Sequence, residues 1–331
     1  MENDNKQRPF YIYKLLNELT DENHELTTNE IVDLLWEKYN IKTQRKRIPE
    51  DVKLLQNIGV DLKADEVSGR PSRYCVLSRT FDTAEIKLLI DAVHSSMFLT
   101  ESKSEELTQK LLSLVSVHEA EAISQTIVDN EMLKHDNRHI MYIVDWLIKA
   151  ILQNKQVAFR YFHYNLLKAP VTSNDNKPYI VSPYALVWSG DNYYLIAWSD
   201  KHQKITHFRV DRIADVPSLL EAESVPLPED FDLAKYKSTM FHMYNSDRVW
   251  VELACDESVM DAIVDRFGLE VETGLIDEHT FSVNVEVAVN HVFYSWIFGF
   301  GGKVRILSPA EVLTGYADLF VEAAKPLTEL I

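Results

Sequence analysis

Along the first 60 residues the apolar positions recur at helical spacing in three separate stretches. The first covers residues 9–19. The second opens on TTNE, where Thr27 can cap the helix and Glu30 can reach back to it, and continues with Ile31, Leu34 and Leu35 on one face. The third is TQRKRIPEDVKLLQNIG, residues 43–59, in which Ile48, Val52 and Leu55 form a stripe at i, i+4 and i+7 and Gly59 supplies a stop. After Gly59 the period falls to two. Val60, Leu62 and Ala64 alternate with polar residues, SGRPS marks a turn, and RYCVL reads as a returning strand. Three helices followed by a hairpin predict a winged helix-turn-helix over residues 1–80. Pro49 lacks a backbone donor and clashes with the carbonyl four residues earlier, so the third helix must begin near residue 46 or kink.

The next segment is helical in pattern. DTAEIKLLIDAVHSSMF begins with Asp82 as a cap and Glu85 three residues on, further helical spacing runs through 104–116 and 138–153, and no proline occurs from 72 to 169. Residues 81–150 are therefore expected to form a helical linker and dimerisation segment. Its most apolar stretch, HIMYIVDWLIKAIL, contains Asp145 and Lys149 and falls short of the ~20 residues a bilayer needs. It is expected to be buried or to face a second copy, and no membrane partner is expected. From 156 the period is two again. QVAFRYFHY, YIVSPYALVW, YYLIAW and ITHFRV read as short strands joined by SGDN and SDKHQK loops, which predicts a small barrel or sandwich over 151–220. Residues 246–331 read as strand, helix, strands, helix, strand, helix, a ferredoxin-like alternation. The fold class expected is multidomain α+β.

Composition narrows the function. With 331 residues, 46% apolar and 26% charged, the chain is an ordinary globular protein of two or three domains. Cys75 and Cys255 have no CxxC or Cys/His spacing, so neither a disulfide framework nor a structural zinc site is supported, and the reducing cytoplasm fits. MENDNKQRPF lacks the apolar core of a signal peptide. His135 and His139 have i, i+4 spacing but no third ligand at a recognisable offset, so no metal is expected. GFGG at 299–302 follows a helix and precedes a strand, the reverse of a dinucleotide-binding turn, and reads as a helix stop. No GxSxG, P-loop or HExxH occurs, so neither catalysis nor a cofactor is expected.

Charge is the informative property. The formal net charge of −17 divides into −1 over residues 1–80, −6 over 81–150, +3 over 151–220 and −13 over 221–331, while residues 41–80 alone carry +4. Two regions free of the general acidity suggest two surfaces that face anions. In the first, setting Ile48 and Val52 inward on a helical wheel places Thr43, Lys46 and Lys53 outward with Arg47 at the edge and Arg45 beside them, in reach of phosphates or base edges. Arg70 and Arg73 flank the hairpin tip, where backbone or minor-groove contacts fall. Glu50 lies on the same outer arc and opposes phosphate. The partner expected is a double-stranded DNA operator, bound by a homodimer. In the second region His207 and Arg209 are two apart on one strand and share a face.

At YYLIAW the sequence resembles the WYL-domain family of bacterial transcription regulators. The naming tripeptide stands here as Tyr193-Tyr194-Leu195, with tyrosine in place of tryptophan. SPYAL (182–186) is similar to the family's proline-containing strand, and HFRVDRI (207–213) to its arginine-bearing strand. The first 80 residues resemble the family's DNA-binding half and 246–326 its C-terminal extension. The resemblance implies an Sm-like β-fold that senses a nucleotide-like or single-stranded nucleic-acid effector and relays its presence to the DNA-binding half. Carried over by position, it implies Ser182, Tyr184, Tyr194, His207, Phe208, Arg209 and Arg212 as ligand contacts. The competing reading is an adaptor whose degenerate winged helix binds protein instead of DNA.

Overall fold

The computed structural model describes residues 2–65, 72–127, 139–189, 191–229, 231–233, 236 and 248–328. The chain divides into two compact units, Met1–Asn137 and Arg138–Ile331, and is mixed α and β with antiparallel sheets throughout. Among the described residues no helix is long and apolar enough to cross a membrane.

The first unit begins with three helices, α1 (Glu2–Leu19), α2 (Thr28–Tyr39) and α3 (Arg47–Asn57). The capping box at the head of α2 forms as its sequence predicts. Thr27 Oγ1 accepts from the Glu30 amide, and Glu30 accepts from the Thr27 amide at 2.7 Å. Asn40, left-handed at φ 55°, ends the helix. Strands β1 (Leu26–Thr27), β2 (Leu62–Asp65) and β3 (Arg73–Val76) form a sheet in the order β1-β3-β2. The two-residue β1 is too short to leave a periodic signal. Ile12, Leu16, Ile31, Leu35, Ile48 and Val52 close the core between the helices, and Tyr74 covers it from the sheet. A buried bidentate ion pair, Arg8 to Asp51 at 2.5 and 3.2 Å, ties α1 to α3. Three further helices follow: α4 (Thr83–Ser95), α5 (Glu101–Leu112) and α6 (Val117–Ser124). They are capped by Asp82, Thr100 and Ser116 and packed through Ile86, Ile90, Leu112 and Ile123. Ser116 also donates to Asp21 at 2.7 Å, which fastens α6 to the turn after α1.

The second unit opens with α7 (Ile140–Leu152), which buries Ile140, Ile143, Leu147 and Ala150 and packs on strands β4 (Lys155–Phe159) and β7 (Tyr179–Ser189). With β8 (Asn192–Ser199), β9 (Lys204–Arg209) and β10 (Ser218–Glu223) these strands form a five-stranded sheet in the order β10-β4-β7-β8-β9. The predicted run QVAFRYFHY is broken after Phe159. Arg160 there pairs with Asp215 at 2.6 Å and Tyr161 bridges to Ile213, so the chain leaves the sheet and forms a hairpin of β5 (Phe162–Tyr164) and β6 (Pro170–Thr172). The remainder runs β11 (Arg248–Asp256), α8 (Met260–Phe267), β12 (Thr273–Leu275), β13 (Thr280–Ala288), α9 (His291–Phe298), β14 (Val304–Ser308) and α10 (Ala310–Thr328), with sheet order β12-β13-β11-β14. Alternate residues of β11 and β13 (Val251, Leu253, Val283, Val285) meet Ile263, Phe293 and Ile297 of the helices in one core.

Candidate nucleic-acid interface and effector face

Helix α3 starts at Arg47, so Pro49 sits in its first turn, where no intrahelical donor is required. Ile48, Val52 and Leu55 are buried as their spacing predicts, and Asp51 joins them through its pair with Arg8. Arg45, Lys46, Arg47 and Lys53 are exposed. Because the helix begins only at 47, residues 43–46 precede it, and the helical-wheel placement does not hold for them. Thr43 is the residue this changes: its hydroxyl oxygen is shielded from solvent instead of facing outward. The outer acid Glu50 pairs with Arg47 at 3.0 Å, both side chains remaining more than half exposed. In the β2–β3 hairpin, Arg73 lies 3.8 Å from Glu25, and Lys63 contacts Glu25 and Asp65 at 3.0 and 3.1 Å. Arg70 lies outside the described residues, as does His135. Among the described residues Arg45, Lys46 and Lys53 have no carboxylate within ion-pair distance, so the turn into α3 is the least neutralised cationic surface of this hairpin-and-helix region.

In the central sheet, β8 is paired with β7 on one side and β9 on the other. The register sets Val187, Tyr194 and Arg209 abreast, and Ala185, Ile196 and His207 abreast. Side chains directly opposite share a face, so Tyr194, His207 and Arg209 are brought together; the Tyr194 and His207 rings meet edge-on at 5.9 Å. Phe208 is not part of this group. Strand period two turns it to the other face, where it is buried against Phe159, Tyr161 and Tyr179 at centroid distances of 5.3 to 5.4 Å. Ser182 is fully buried, and its hydroxyl accepts from the Val225 amide at 2.9 Å and from Gln156 Nε2 at 3.3 Å. Tyr184 sits where the β7–β8 register shifts, and its hydroxyl donates to the Pro226 carbonyl at 3.4 Å. Both residues therefore hold the chain at 225–226, just before Phe231, Leu233 and Tyr236 pack on the face formed by Val187, Tyr194 and Ile196. Ala288, at the end of β13, joins the same cluster.

The electrostatics of this face depart from the open cationic surface that the sequence suggests. Arg209 is half-buried and forks onto Asp211, Nε to Oδ1 at 3.0 Å and Nη2 to Oδ2 at 2.8 Å; Asp211 itself is buried. Burial pushes His207 down to about 4, so its imidazole is neutral near pH 7, and its Nδ1 is shielded with no partner among the described residues. Arg212 is half-buried and forms no ion pair among the described residues; the nearby Asp215 is occupied by Arg160. The sequence offers Asp211 and Asp215 as carboxylate partners for Arg212; in the structure Asp211 pairs with Arg209 and Asp215 with Arg160. Tyr161, whose hydroxyl accepts from the Arg209 amide at 3.1 Å and is pushed up by burial, left no signal in the sequence.

Comparison with known proteins places two domains in the second unit. The WYL domain profile matches residues 143–217 and the WCX domain profile residues 247–324. The first match begins within α7 and ends just before β10, so it takes in most of this helix and four of the five strands of the sheet. No curated protein matches the chain significantly. Among solved structures, the chain is similar to proteasome accessory factor B/C (PafBC) of Arthrobacter aurescens, at 16% identity over 94% of this chain and 47% of that one, with a TM-score of 0.31. It thus spans about half the length of that protein. A CRISPR Cas-related protein is similar at 14% identity over 100% of this chain and 85% of that one, with a TM-score of 0.37. The second unit thus carries a WYL domain followed by a WCX domain, which bears out the resemblance to the WYL-domain family.

Proposed function

We propose that this protein is a non-enzymatic, DNA-binding transcription regulator whose WYL domain takes a nucleotide-like or single-stranded nucleic-acid effector. In this reading α1–α3 with the β1-β3-β2 sheet are a winged helix, the five-stranded sheet is an Sm-like module and the C-terminal module is ferredoxin-like. Two copies bind one operator. The observation that carries the reading is the turn into α3. Its three helices close a core on the inner stripe of α3, and Arg45, Lys46 and Lys53 stand exposed and unneutralised within a chain of net charge −17. Cations at the head and outer face of such a helix suit phosphate positioning and groove contacts.

The effector arm of the reading rests on Tyr194, His207 and Arg209 sharing a face, with Arg212 nearby. A guanidinium fork matches phosphate, whereas Tyr194 is buried beneath Phe231 and Tyr236 and offers an effector no ring face unless that packing opens. Asp211 already occupies that fork, so an anionic effector engages Arg209 in competition with an internal carboxylate.

The experiment is a gel-shift titration of duplex fragments from DNA upstream of the protein's own gene. Arg45→Ala/Lys46→Ala/Arg47→Ala is expected to lose the shift while keeping the far-ultraviolet spectrum and melting temperature of the parent; unchanged affinity refutes the interface. One observation favours the adaptor reading. Arg47, Lys63 and Arg73 are each within ion-pair distance of a carboxylate of this region. An adaptor predicts no duplex binding even at low salt.

A further inference from the structure

The WCX domain contains a cleft of about 420 Å³ that shares no lining residue with the effector face. It is built where the chain turns out of α8 and passes the edge of β13. Arg266 and Phe267 come from the end of the helix, Glu270, Val271 and Glu272 from the loop beyond it, and Trp250 from β11 together with Asn284, Val285 and Glu286 from β13 complete it. Trp250 and Glu286 are directly opposed across the β11–β13 ladder, which sets a carboxylate beside an indole on the outer face of the sheet. The volume is in the range of small-ligand sites. Trp250 is 59% exposed although neighbouring β-strand residues bury their apolar side chains in the core beneath, and Phe267 is anchored edge-on to Trp296 at 5.7 Å.

The lining decides the ligand's charge. Three carboxylates, Glu270, Glu272 and Glu286, face one cation, Arg266, and the segment from residue 221 onward carries a formal −13. A nucleotide entering here would bring its phosphates against like charge, which disfavours it. An ammonium or guanidinium group instead gains from the carboxylates and from the face of an indole. An aliphatic body lies against Phe267 and Val271, which are half-buried. We propose that this cleft is a second ligand site, selective for an aliphatic organic cation of the polyamine class and separate from the anion-directed face of the WYL domain.

The test is isothermal titration of the full chain with spermidine at physiological ionic strength, with AMP as the anionic comparison. One spermidine per chain is expected, with no heat from AMP that is lost on altering the cleft. Glu286→Gln and Trp250→Leu should each weaken spermidine binding by roughly ten-fold, the scale of one desolvated cation–π or charge contact. Asn284→Lys, at an exposed position, sets a tethered ammonium in the cleft and should abolish binding without touching the core. Several weak sites that vanish with salt and are equal in all three variants would mean that only the general acidity of the chain is being titrated. AMP binding lost in the same variants would show that the cleft takes anions. Either result overturns the proposal, and neither bears on DNA binding by α3.

Discussion

At the scale of single residues, two sites in different units have their state set by burial: His207 on the effector face and the Arg8–Asp51 pair between α1 and α3. His207 is pushed down to about 4 by desolvation, so the folded protein holds it neutral where an unfolded chain binds a proton. For a base with a depressed folded-state value the sign is fixed. Between pH 6.5 and about 4 the unfolded state binds more protons, so stability falls as pH falls through that window, by up to on the order of 3 kcal/mol. Thermal melts of the parent and of His207→Phe across this range should differ in slope, the variant losing less on acidification; parallel slopes would contradict the buried neutral imidazole. The Arg8–Asp51 pair is a second such case. Removing one partner strands a buried charge, which costs about 3–5 kcal/mol, whereas removing both with apolar residues of similar size is often neutral. Arg8→Met should therefore lower the urea midpoint of unfolding strongly, and Arg8→Met/Asp51→Leu should recover most of it. A double variant as unstable as the single one would mean that the pair does more than compensate its own burial.

At the scale of elements, the sequence was legible where local chemistry alone decides. The capping box Thr27/Glu30, the stripe Ile48, Val52, Leu55 and the strands around 179–189, 192–199 and 204–209 all follow from spacing and stand where the spacing puts them. What was not legible depends on partners distant in sequence. The two-residue β1 exists only because β3 pairs with it, and the break after Phe159 comes from Asp215 and Ile213, some 55 residues on. The same holds for the candidate sites. Spacing brought Tyr194, His207 and Arg209 together, but it could not tell that Ser182 is consumed by the Val225 amide, or that Thr43 lies ahead of α3 with its hydroxyl shielded. Phe208 was legible in principle, since adjacent strand residues point to opposite faces. The capping box also yields a quantity: Thr27→Ala should destabilise the first unit by about 1 kcal/mol, read as a lowered melting midpoint, and Thr27→Ser should restore it. An unchanged midpoint for Thr27→Ala would place no weight on the cap.

At the scale of the whole molecule, charge is segregated along the chain. The acidic excess sits after residue 221, and the cationic turn into α3 is the exception within the first unit. Within the second unit, the face that bears Tyr194 also touches Phe231, Tyr236 and Ala288, so the WYL and WCX domains meet on the strands expected to receive the effector. On the proposed function, an effector that displaces this packing would change how the two domains are joined. Arg209→Ala should spare basal DNA binding and blunt the response to effector; a normal response would remove Arg209 from the site.

The central claim is that exposed cations at the head of α3 grip duplex phosphate. Binding to duplex DNA as a function of salt tests it most directly, because each phosphate neutralised contributes about −0.9 to the slope of log affinity against log salt. The account predicts a steep negative slope for the parent, made shallower by about 2 to 3 in Arg45→Ala/Lys46→Ala/Arg47→Ala. A slope near zero in the parent, or the same slope in both proteins, would contradict it.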